Sequence, residues 1–196
     1  MRYTSTLTST PLRLRESRIV ADLLLQGLDE AAWKRAIVED NILQVDSAIA
    51  VIRSANIMRA RLAPLGAGLW EMVRDGNQHL ATQAAFAGAV HHSKLLGDFM
   101  DITLREQRTL FAPSLEPRLW NDYVNGCRGR DPDMPHWSDT TVAKLRSVVF
   151  SMLVEAEYLK DTRSLLIQNV FVDVQLAAYL RDHDERYVLR CMEVTE

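Results

Sequence analysis

The chain is short of cysteine, glycine and proline, has no long apolar run, and carries no excess of positive charge. Each scarcity excludes something. A bilayer-spanning helix needs about 20 consecutive apolar residues, and the longest candidate, Ala84 to Val90, is short and poor in Leu and Ile. The two cysteines, Cys127 and Cys191, lack the paired spacing of a zinc or redox motif and are read as reduced thiols. The first fifteen residues, MRYTSTLTSTPLRLR, are polar and interrupted by Pro11, with no apolar core for an export signal. A cytoplasmic protein without membrane contact is expected. Lys and Arg number 23 against 26 Asp and Glu, a net charge of −3, which excludes a protein coated in basic charge for nucleic acid. Residues 1–62 hold nine basic against seven acidic side chains, and residues 63–196 hold 14 against 19. Any phosphate contact must therefore come from a local patch.

Catalytic signatures are missing as well. There is no GxSxG, no Gly-rich phosphate loop and no kinase motif. Gly66-Ala67-Gly68 lies between helical segments, without the strand a dinucleotide site requires. His91 and His92 are adjacent, so on a helix they point about 100° apart and cannot easily share an ion. Asp98 and Asp101 share a face, but no histidine follows at a ligand interval. The expectation is a non-enzyme with no catalytic residue, no metal and no cofactor.

What the chain does have is helical periodicity and an ordinary globular balance, 47% hydrophobic and 25% charged. Glu16–Gln26 reads as a helix closed by Gly27. Asp29 caps a helix running to about Asp40, and Ser47, or Asp46 before it, caps another that ends near Leu62, ahead of Pro64. A short helix over Leu69–Arg74 stops at Asp75-Gly76. Gln78–Phe111 is helical in pattern, with kinks or breaks expected at Gly88 and Gly97. Ser114 is expected to cap a helix carrying Leu119, Trp120, Tyr123 and Val124. RDPDMPHW, with Pro132 and Pro135, then enforces a turn. Ser138 caps a long helix whose stripe of Val142, Leu145, Val149, Met152, Leu153 and Ala156 is apolar. Leu165–Val172 is β-prone and predicts two short strands turning at Gln168-Asn169. A last helix starts at about Asp173 and gives way to DHDER and the tail YVLRCMEV.

Helix, Pro-containing turn, Ser-initiated amphipathic helix and β-hairpin is the order of a winged helix-turn-helix. On the second helix Thr140, Lys144, Ser147 and Ser151 lie opposite the apolar stripe, flanked by Thr141 and Arg146, with Ser138 at its start. Hydroxyls and one or two cations, without carboxylates until Glu155, suit phosphates and base edges. Lys160 and Arg163 fall at the base of the wing. The same face also suits plain solvent, and pattern alone leaves both readings open. A second helix-turn-helix order occurs over Asp29–Asp40 and Ser47–Leu62, with Arg53, Asn56 and Arg61 projecting outward and Arg59 snorkelling. Its connection of about six residues is longer than the usual three or four, and an ordinary three-helix bundle fits equally. Trp33, Trp70, Trp120 and Trp137 each border an apolar face and are read as core.

The fold class expected is all-α: a compact multi-helix bundle with helix-turn-helix elements and a small β-hairpin wing near the carboxyl end. Residues 1–131 form the amino-terminal helical region and residues 132–196 the winged region. Four blocks, ESRIVADLLLQGLDEAAWKRAIVEDNIL, LLGDFMDITLREQ, LRSVVFSMLVEAEYLKDTRSL and YVLRCMEV, resemble the BrxA family of BREX bacteriophage-exclusion systems over about Arg13 to Val194. The resemblance implies a small helical protein that binds double-stranded DNA in a system that methylates host DNA and blocks unmarked phage DNA. It also implies a methyltransferase on a separate subunit, and makes the Ser138–Leu159 and Ser47–Leu62 helices the DNA-facing elements. Partners expected are double-stranded DNA and other BREX subunits, with the chain a monomer. The alternative is a helical adaptor for other defence subunits without DNA readout.

Overall fold

A computed structural model describes residues 2–7 and 11–194. They are mostly helical, and no helix among them is long and apolar enough to cross a membrane. The chain divides into two compact units, one of Leu12–His92 and one built from Ser93 onward together with the amino-terminal segment up to Pro11. The boundary expected at 131/132 lies inside the second unit, at the turn between two of its helices.

The Leu12–His92 unit follows the cap signals closely. Helix α1 (Leu14–Leu25) buries Ser17, Val20, Ala21 and Leu23, and Gly27 closes it at φ 63, a left-handed conformation that costs glycine little. Asp29 caps α2 (Glu30–Lys34), accepting from the Ala32 amide at 2.7 Å, and the helix widens into a π turn over Arg35–Glu39. Ser47 caps α3 (Ala48–Leu62), which ends in a 3-10 turn at Ala63–Leu65 containing Pro64. After α4 (Ala67–Asp75) comes α5 (Gln78–His92), in which every residue from Leu80 to Val90 is buried. A helix enclosed on all sides is a central one, and α1, α3 and α4 pack around it. Gly88 does not kink α5. A Cβ there would stand 2.9 Å from the backbone carbonyl of Arg61, so the glycine lets α3 and α5 approach.

The second unit opens with a break at Ser93 rather than at Gly97. Ser93 caps α6 (Lys94–Asp98), which passes through a π turn at Phe99–Leu104 into α7 (Arg105–Thr109). Gly97 instead lies against Tyr187. Helix α8 (Arg118–Arg130) begins behind Pro117. Ser114 does not cap it, because Ser114 bridges to Leu166. Ser138 caps α9 (Asp139–Glu155), accepting from the Thr141 amide at 3.3 Å.

The expected β-hairpin wing is absent. Among the described residues the run after α9 makes only two isolated antiparallel bridges, Leu159 with Ile167 and Ser114 with Leu166. The chain reverses at Asp161, whose carboxylate accepts from the amides of Arg163 and Ser164 at 2.8 and 2.7 Å. Leu165, at φ 50, then interrupts extended geometry. A local Asx turn has outcompeted β propensity, which depends on partners the segment lacks. Asp173 caps α10 (Val174–Asp182), and the tail is itself a helix, α11 (Arg186–Met192), burying Val188, Leu189, Cys191 and Met192.

Phe99, Trp120, Tyr123 and Phe150 form the aromatic centre of this unit, with ring centroids 5.2–6.3 Å apart in mostly edge-on pairs. Trp33, Trp120 and Trp137 are buried, whereas Trp70 is half-buried and donates to the Leu62 carbonyl at 2.7 Å. Asp98, 3% exposed, ties both chain ends to the centre. It accepts from the hydroxyls of Tyr3 and Tyr187, each at 2.7 Å, and from Arg2 at 2.6 Å.

Candidate nucleic-acid interface

Helix α9 is positioned by its buried side. Leu145, Val149, Phe150, Met152 and Leu153 are enclosed, and Val142 is half-buried. The opposite flank, Thr140, Lys144 and Ser147, is exposed, with Ser151 half-buried beside it. Not every hydroxyl there is free to donate. The Ser138 and Thr141 hydroxyls stand 3.0 Å apart within the cap, and Ser147 donates back to the Ala143 carbonyl at 3.1 Å. Thr140 and Lys144 are thus the outward donors, with Arg146 at the flank.

The cations of this unit differ in their surroundings. Arg2, Lys94, Arg105, Arg118, Arg181, Arg186 and Arg190 each sit within 4.0 Å of a carboxylate. Lys144, Arg146, Lys160 and Arg163 make no ion pair among the described residues. Lys144, Lys160 and Arg163 are exposed and Arg146 is half-buried. Arg108, Arg128 and Arg130, on α7 and α8, likewise make no ion pair among the described residues, so the cations of this unit without a carboxylate partner run from α7 to the turn after α9. Within the helix itself carboxylates occur only at its ends, at Asp139 and Glu155. Between α8 and α9 lies an open cleft of about 280 Å³, lined by Asn121, Asn125 and Arg128 on one side and Asp139, Ala143 and Arg146 on the other. The α8 residues carried no sequence expectation, although their spacing of four and then three places them on one helix face.

The first helix-turn-helix candidate is different. Arg53 and Asn56 are exposed on α3, but Arg61 is only 3% exposed. Arg61 does not project outward, because its edge of α3 is covered. Arg59 lies over the Trp33 ring, 4.4 Å from its centroid, and pairs with Glu30 at 3.0 Å. The exposed face of α3 displays Ile49, 74% exposed, and Ile52. His92 is half-buried and its pKa lies below the usual imidazole value, chiefly through burial and then through the charges of Arg61 and His91. Among the described residues no three His, Cys, Asp or Glu side chains gather where they could hold a metal.

Fold and surface together define a two-unit helical protein in which α8 and α9 both carry cations. The BrxA family model matches residues 1–184. A BREX protein BrxA from Paramagnetospirillum magneticum is 43% identical over 99% of this chain and 98% of its own length. A BREX protein BrxA from Escherichia coli is 31% identical over 93% and 86%. The crystal structure of an uncharacterized protein from Magnetospirillum magneticum superposes with a TM-score of 0.93 at 42% identity, covering 99% of this chain and 100% of that one. The chain belongs to the BrxA family, a component of BREX systems implicated in phage defence.

Proposed function

We propose that this protein is a non-catalytic accessory subunit of a BREX system that binds double-stranded DNA through α9, supporting host DNA methylation and phage exclusion. The observation that carries the reading is the set of unpaired cations on α9 and its following turn. Thr140 and Lys144 face the groove, Thr141 and Arg146 flank them, and Ser138 and Ser147 offer hydroxyl oxygens. Lys160 and Arg163 hold phosphates beyond the helix end. Arg53 and Asn56 on α3 are a weaker second contact, and buried Arg61 is left out. With three or four phosphates engaged, the logarithm of affinity falls with that of salt at a slope of about −3 to −4.

The test is fluorescence anisotropy on a labelled duplex, with the wild type and the Lys144→Glu/Arg146→Glu double variant. Binding by the wild type that weakens steeply with salt, and is lost in the variant at unchanged helicity, is expected. Unaltered affinity in the variant would remove α9 as the reader.

A second reading is favoured by Ile42, Ile49 and Ile52, all exposed in the Leu12–His92 unit. Exposed apolar side chains suit a protein partner, and in a BREX system other subunits are the candidates. Retention of such a subunit by a protein that leaves duplex DNA unbound would favour this adaptor role.

A further inference from the structure

We infer that the cleft between α8 and α9 is a seat for a phosphodiester group, so that α8 grips the DNA backbone beside the duplex face that α9 reads. The inference rests on the DNA reading above and extends it to a second helix.

Asn121, Asn125 and Arg128 succeed one another on a single face of α8, and Asp139, Ala143 and Arg146 face them from α9. Arg128 is pre-oriented. One of its terminal nitrogens donates to Oδ1 of Asn125 at 3.2 Å. Its Nε is shielded from solvent and has no acceptor among the described residues. Its other terminal nitrogen remains as a charged donor, and a guanidinium is a strong partner for a phosphate oxygen. Arg146 adds a second guanidinium with no ion pair among the described residues. The carboxamides of Asn121 and Asn125 are of the type that donates to backbone phosphate oxygens.

Charge and size narrow the ligand. Two guanidiniums against the single carboxylate of Asp139 leave the cleft positive. At about 280 Å³ and open to solvent, it lies below the roughly 300–1,000 Å³ of drug-sized ligand pockets. A phosphate with its adjoining sugar fits, and a large cofactor does not. Position selects the source. The cleft positions 139, 143 and 146 each precede by one residue the outward positions 140, 144 and 147, a rotation of about 100° on the helix. A duplex lying against Thr140 and Lys144 therefore carries a backbone strand past the mouth of the cleft. The first helix of a helix-turn-helix crosses the backbone in this way.

The full chain tests this by anisotropy on short duplexes of two unrelated sequences, between about 50 and 200 mM salt. Deoxycytidine monophosphate is titrated in parallel by calorimetry. Arg128→Gln removes the guanidinium, and Ala143→Glu, at an exposed position, sets a carboxylate in the cleft without touching the core. Lys144→Ala serves as the α9 control. Both cleft variants are expected to lose about tenfold in DNA affinity, equally on both sequences, and Arg128→Gln to flatten the salt slope by about one. Far-UV circular dichroism should be unchanged. If both cleft variants keep wild-type affinity and slope while Lys144→Ala weakens binding, the seat is refuted and the α9 reading stands. If the wild type leaves DNA unbound but takes the mononucleotide in an Arg128-dependent manner, the phosphate seat holds and DNA as its source is refuted. Binding of neither ligand refutes both.

Discussion

The indole nitrogen of Trp120 donates to the backbone carbonyl of Val142 at 3.0 Å, locking the first turn of α8 to the first turn of α9. Trp120 is fully buried and packs edge-on against Phe99 and Phe150. It therefore sets the spacing of the two helices that flank the cleft. Trp120→Phe keeps most of the ring and deletes the donor. The lost hydrogen bond and the small void should together cost about 1.5–3 kcal/mol. Equilibrium urea unfolding reads this as a lower midpoint at unchanged slope. An unmoved midpoint would mean that the aromatic cluster, not the hydrogen bond, fixes the spacing.

Asp98 is the anion on which the amino-terminal segment and α11 converge. Asp98→Asn replaces an acceptor-only carboxylate by an amide whose NH₂ must face donors from Tyr187 or from Tyr3 and Arg2. A loss of about 2–4 kcal/mol is expected, again by urea unfolding. Burial alone would raise the pKa of Asp98. The Tyr187 and Tyr3 hydroxyls, with the charges of Arg2 and Lys94, outweigh burial and hold it below the ordinary value. Stability from a depressed carboxyl is fully present above its unfolded pKa of about 4 and is lost as pH falls through the folded value. The gap between wild type and Asp98→Asn should therefore be wide at neutral pH and narrow below about pH 4. A gap independent of pH would show that packing, rather than ionisation, accounts for the difference.

These two sites show which features the sequence makes legible. Asp29, Ser47, Ser138 and Asp173 cap helices because a side-chain oxygen satisfies an amide two or three residues on, and Gly27 closes α1 because a left-handed residue is needed there. Such rules involve only near neighbours, so they can be read from one sequence. The failures all involve distant partners. Arg61 sits at the edge of α3, and only the packing of α5 decides that this edge is covered. The β-prone run after α9 lacked a partner strand, and Asp161 turned the chain locally instead. The tail YVLRCMEV spans too few turns for its periodicity to stand out, yet its apolar residues complete a core. Asn121, Asn125 and Arg128 shared a helix face in the sequence too, but only α9 opposite them makes that face a cleft.

Gly88 offers a case where local and tertiary preferences oppose one another. In an isolated helix Gly→Ala stabilises by about 1 kcal/mol. In α5 the new Cβ would meet the Arg61 carbonyl at 2.9 Å, and that neighbour is backbone, which cannot rotate away. Forcing α3 and α5 apart costs about 1–3 kcal/mol, so the tertiary effect should win and Gly88→Ala should unfold at a lower temperature. A raised melting temperature would mean that α3 shifts freely.

The two helix-turn-helix candidates are separated by what surrounds their cations. Lys144 is flanked by hydroxyls and by a second cation, whereas Arg53 shares its face with Ile49 and Ile52, 74% and 40% exposed. Apolar side chains gain nothing against phosphates and their hydration, so α3 is the weaker of the two contacts. Lys144→Glu should therefore weaken DNA binding by more than about tenfold, since it both removes an attraction and adds a repulsion. Arg53→Glu should change affinity by less than about threefold, the size of a remote charge effect under screening. Anisotropy titrations of the two variants at one salt concentration decide between them. Equal losses would make α3 as strong a contact as α9, and the exposed isoleucines would then need a role compatible with DNA.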